Sequence, residues 1–68
     1  MTYTAKAALA FPDAHRAVSG LRGQLRLLVS NDGRTPDWET LRITEPVEVI
    51  GAHGRVWYEW TATVAATR

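Results

Sequence analysis

The chain contains no cysteine, which excludes disulfides and thiolate metal sites together. It has only two histidines, His15 and His53, far apart in the sequence and in no metal-ligand spacing. No charge sign dominates: eight basic residues face seven acidic ones, for a net charge of +1. That balance leaves no electrostatic footprint for nucleic acid or an anionic membrane. No stretch approaches the roughly 20 apolar residues of a membrane helix. The N-terminal run MTYTAKAALAF lacks a basic segment followed by a long apolar one, so no signal peptide is expected and a cytoplasmic location is the default. Nucleophile motifs, phosphate-binding glycine loops and metal spacings are all missing, and the chain reads as non-enzymatic.

What is there is apolar and aromatic. Of the 68 residues 46% are hydrophobic, and three are tryptophan. A chain of this length forms one domain, residues 1–68, and buries only about 60% of the surface its unfolded form exposes. With disulfides and metals excluded, self-association is the means left to complete such a core. An ideally packed monomer is the alternative.

Tyr3, Ala5, Ala7, Leu9 and Phe11 share one face and Thr2, Thr4 and Lys6 point the other way, the period of a half-buried strand. Pro12 and Asp13 mark a helix start, with proline at the first helical position and aspartate at the positive end of the dipole. Ala14, Val18, Leu21, Leu25 and Leu28 then form an apolar stripe at steps of four and three. Gly20 and Gly23 beside it predict close approach of the helix to a sheet. The helix should end near Ser30, before Asn31-Asp32-Gly33. A rival reading takes Gln24 to Ser30 as a strand and the whole chain as a small β-barrel.

Trp38 to Ile50 is strand-like, with Pro46 marking a bulge or an edge position partway along. Gly51-Ala52-His53-Gly54 is a hairpin connection, and His53 an exposed turn residue. The last run places Val56, Tyr58, Trp60, Ala62 and Val64 on one face and Trp57, Glu59, Thr61 and Thr63 on the other. The expected fold is α+β: βαββ, with a three-stranded antiparallel sheet packed on one amphipathic helix. Which face the helix covers is left open.

Asp13 and His15 read as capping and solvation, and Glu45 and Glu48 as exposed strand carboxylates. Trp60 belongs to the core. A large aromatic on the polar face, as Trp57 is, implies that something covers that face. Trp38, opening a strand after a polar loop, suits an interface or stacking on a planar ligand.

The order of parts, together with Asp37-Trp38 and the run Val56-Trp57-Tyr58-Glu59-Trp60-Thr61-Ala62-Thr63-Val64, resembles the dodecins. The resemblance spans the whole chain and rests mostly on periodicity. It implies a hollow twelve-subunit homo-oligomer that binds or stores a flavin, FMN or riboflavin, without turnover. Trp38 matches the tryptophan that stacks on the isoalloxazine. Glu59 stands where the family has a glutamine, and an ionised carboxylate accepts hydrogen bonds but donates none. The alternative is a structural or protein-interaction domain that self-assembles without a ligand.

Overall fold

Two hydrophobic periods, one of two residues and one near 3.6, resolve in the computed structural model into one antiparallel sheet with a helix across one face. The structure describes residues 1–67. In chain order the elements are β1 (Thr2–Leu9), α1 (Ala14–Asn31), β2 (Thr35–Ile43), β3 (Val47–Ile50) and β4 (Val56–Thr67). A short 3₁₀ turn, Ala52–Gly54, joins β3 to β4. The chain is therefore α+β, and Gln24 to Ser30 is helical rather than a strand.

The sheet has four strands among the described residues, not the three expected. β4 lies in the middle. β1 runs along one side of it, in register from Thr2 opposite Ala65 to Leu9 opposite Tyr58. β2 and β3 share the other side end to end, β2 against Ala62–Thr67 and β3 against Val56–Glu59. The expected strand from Trp38 to Ile50 thus starts earlier, at Thr35, and breaks at Thr44–Pro46. Proline has no N–H to give the ladder, so the edge strand divides there. Thr44 holds the last rung, its N–H donating to the Thr61 carbonyl at 2.9 Å.

Asp13 is the N-cap of α1: its carboxylate accepts the Arg16 N–H at 3.1 Å. Pro12 consequently lies outside the helix, not at its first position. At the other end Gly33, with φ +70, adopts the left-handed backbone that closes the helix, and its N–H reaches the Ser30 carbonyl.

The buried side of α1 is Ala17, Leu21, Leu25 and Val29, a strict i, i+4 row. This corrects the expected stripe. Leu21 and Leu25 belong to both, but Ala14 is exposed, Val18 only half-buried, and Leu28 is 43% exposed. An i, i+4 row winds slowly around a helix, and a twisted sheet presents an equally inclined line of contact. Gly20 and Gly23 also differ from expectation: a Cβ at either would meet nothing within 4 Å, so neither approaches the sheet.

The helix covers the face of β4 that carries Trp60, Ala62, Val64 and Ala66, all buried. Ala5 completes the core from β1, with Tyr3, Ala7 and Leu9 packed at its margin. Phe11, expected to extend this face, lies beyond the end of β1 and is exposed. Val56 shares the face of Trp60 but sits past the reach of the helix and is 40% exposed.

Tyr3 ties the ends together by donating from its hydroxyl to Asp32 Oδ2 at 2.5 Å. That hydrogen bond, then burial and the carboxylate charge, pushes the Tyr3 phenol above its ordinary range. The folded protein therefore holds this proton more tightly than the unfolded chain. The stabilisation is complete below the unfolded phenol's pKa of about 10 and is lost as pH rises through the higher folded one. Thermal unfolding of wild type and Tyr3→Phe should differ by a constant amount up to about pH 9 and converge above about pH 10. A gap that widens with alkalinity would contradict this.

Candidate functional site

β2 does not run straight past Trp38. Asp37 stands opposite Ala65 and Arg42 opposite Thr63. Trp38, Glu39, Thr40 and Leu41 therefore bulge out opposite the single residue Val64. Side chains repair the ladder: the Ala65 N–H donates to Thr40 Oγ1 at 2.8 Å, and Thr40 Oγ1 donates to the Asp37 carbonyl at 2.7 Å. The Glu39 N–H donates to Asp37 Oδ1 at 3.2 Å. Bulges of this kind re-aim side chains and gather near functional positions.

Trp38, next to Asp37 and level with the core residue Val64, lies on the helix side of the sheet. Its ring is half-buried and packs against the core, and the Arg22 guanidinium lies over it, 4.7 Å from the centroid. A cation over an indole face is held by the ring quadrupole. One face of the expected stacking residue is therefore occupied by the chain itself.

Glu59 lies elsewhere. It is half-buried on the opposite side of the sheet, since its neighbour Trp60 points into the core. Ala8 of β1 and Val47 of β3 flank it across the ladder. Ala65, opposite Asp37, is six residues further along β4, or roughly 20 Å at strand rise. Within one chain the fold does not bring Trp38 and Glu59 together.

Trp57 shares the face of Glu59. Its indole lies against Gly51, where a Cβ would meet Trp57 Nε1 at 2.9 Å and Cδ1 at 3.0 Å. The glycine is needed for this close approach. Gly51→Ala should displace the indole and lower hairpin stability by about 1 kcal/mol. On a Trp57→Ala background the same change should cost nothing, which thermal unfolding of the four proteins of the cycle would reveal.

The remaining candidates do not converge. Asp13, His15, Glu45, Glu48 and His53 are all exposed. His53 occupies the turn with φ 61 and ψ 25, a left-handed conformation in the 3₁₀ segment. A shallow hollow at the β1–α1 junction is lined by Leu9, Ala10, Phe11, Asp13 and Arg16. Among the described residues no group of three or more His, Asp or Glu side chains is placed to hold a metal. No described helix is long and apolar enough to cross a membrane.

Sequence reasoning missed Arg22 and Thr40. Neither stands out in the sequence by residue type or spacing. Fifteen residues lie between Arg22 and Trp38, and no local pattern signals a contact made across two elements. No family model, curated protein or solved structure matches the chain.

Proposed function

We propose that this chain is a non-enzymatic, self-assembling small protein that takes up a flat aromatic ligand, a flavin by the dodecin resemblance, between its copies. The observation that carries the assembly is surface left uncovered. The radius of gyration is 13.1 Å, against about 11 Å for a compact chain of this length. The accessible surface is 4928 Å², against about 4,300 Å² for a monomer of this mass, an excess of roughly 600 Å². Val47, Val49, Ile50 and Val56 are exposed in that extended part.

The placement of Trp38 and Glu59 ties the ligand to the assembly. Lying on opposite faces and far apart along β4, they contact one ring system only when contributed by different copies. Trp38 of one copy would stack, and Glu59 of another would accept a hydrogen bond from the ligand edge. The missing donor at Glu59 predicts weak binding.

Native mass and flavin emission test the reading. Light scattering at micromolar concentration should give several times 7.6 kDa. Riboflavin or FMN should be quenched saturably, because stacking on an indole contributes about 1 kcal/mol beyond area burial. Trp38→Ala should weaken binding about tenfold or more, equivalent to about 1.4 kcal/mol, and Glu59→Gln should tighten it. A folded monomer would sink the whole reading. Intact assembly with no quenching at high micromolar flavin would leave assembly without a ligand. Arg22 over the Trp38 ring favours that second reading, since one face of the ring is already filled.

A further inference from the structure

We infer that the β3–β4 hairpin of one copy docks on the outer face of the α1 helix of a second copy. This rests on the self-assembly reading and names the surfaces that carry it. β1 ends opposite Tyr58, and Glu48 pairs with the same residue, so the hairpin from Val49 to Trp57 projects past β1. The molecule is correspondingly long, 44 × 19 × 16 Å. All four residues of β3 are exposed. The register places Val47 and Val49 on the face of Trp57, and Ile50 and Val56 on the other. A two-stranded ribbon apolar on both faces is marginal in water without something packed on it.

Charge selects the occupant. The stretch from Glu45 to Glu59, which comprises β3, the turn and the part of β4 paired with β3, carries Glu45, Glu48 and Glu59 against Arg55 alone. From Ala14 to Asn31 the helix carries Arg16, Arg22 and Arg26 and no carboxylate. An acidic apolar ribbon and a basic helix of the same chain are therefore complementary. The outer face of the helix also offers apolar contact, with Leu27 66% exposed. Gly23, one turn before Leu27, has open space where a side chain would stand. A neighbouring backbone can approach closely there. The hairpin points away from its own helix, so the contact is made between copies. The roughly 600 Å² of surplus surface is close to the roughly 800 Å² each partner buries in a standard interface.

The test combines charge reversal with steric block, read by native mass and far-UV circular dichroism. Wild type should be an oligomer. Glu48→Arg and Arg26→Glu should each weaken association at least tenfold, and the double variant should recover most of it. Gly23→Leu adds bulk only in open space, so it should leave the circular dichroism unchanged and lower the mass. A wild-type monomer would overturn both this inference and the self-assembly reading. An oligomeric wild type with every variant at the same mass would overturn the docking alone. So would single variants that dissociate and a double variant that recovers nothing.

Discussion

Val29→Asp should unfold the protein, whereas Leu28→Asp, one residue earlier, should leave helix and sheet in place. Val29 is fully buried against the sheet, while Leu28 is 43% exposed on the flank of the same helix. A carboxylate at Val29 would have no buried partner, since no polar or charged residue is buried among the described residues. An uncompensated buried charge costs several kcal/mol. A chain of this length has only about 3–10 kcal/mol of stability in total. At Leu28 the new carboxylate stays in water and the loss is below about 1 kcal/mol. Circular dichroism of the two variants at 25 °C decides the matter. The reverse outcome would restore the stripe through Ala14, Val18 and Leu28 and displace the row Ala17, Leu21, Leu25, Val29.

Trp60→Ala should be nearly as damaging. Trp60 is 2% exposed at the centre of the sheet. It stands opposite Ala7, with Ala5 opposite Ala62 on the same face. The helix contributes Ala17 to the same core. One indole thus fills the space that several small residues leave between sheet and helix. Removing it opens a cavity that rigid backbone around alanines cannot close, at a cost of about 3–5 kcal/mol. That is a large share of the whole stability, so the variant should be mostly unfolded at 37 °C. Trp60→Phe, which keeps most of the volume, should stay folded with a lowered midpoint. A Trp60→Ala protein with an unchanged thermal midpoint would mean that the helix covers the other face.

These two substitutions also bear on the site. Trp38 packs on the same core that Trp60 fills, so loosening the core should release the bulge around Trp38 as well. Trp38→Ala, on the core margin, should be milder because its ring is only half-buried.

Periodicity and turn chemistry were enough to read a strand, a helix, a strand-like segment from Trp38 to Ile50 with Pro46 at a bulge or edge position, and a long final strand from the sequence; the division of that segment into β2 and β3 was not read. Alternation along β4 likewise separated Trp60 from Trp57 and Glu59, because successive strand residues must point to opposite faces. The aromatic and acidic candidates Trp38 and Glu59 were legible as residue types, from position in an element and from the family resemblance. Their separation was not. It depends on the register of β2 on β4, which sets Asp37 opposite Ala65, and register between distant strands does not follow from local pattern. The choice between two overlapping stripes on α1 was likewise made by the twist of the sheet beneath it. Arg22 meets Trp38, and Tyr3 meets Asp32, only after helix and sheet are docked. Local order is set by the chain's own steric and hydrophobic periods, whereas contacts between distant residues are set by how two twisted surfaces fit.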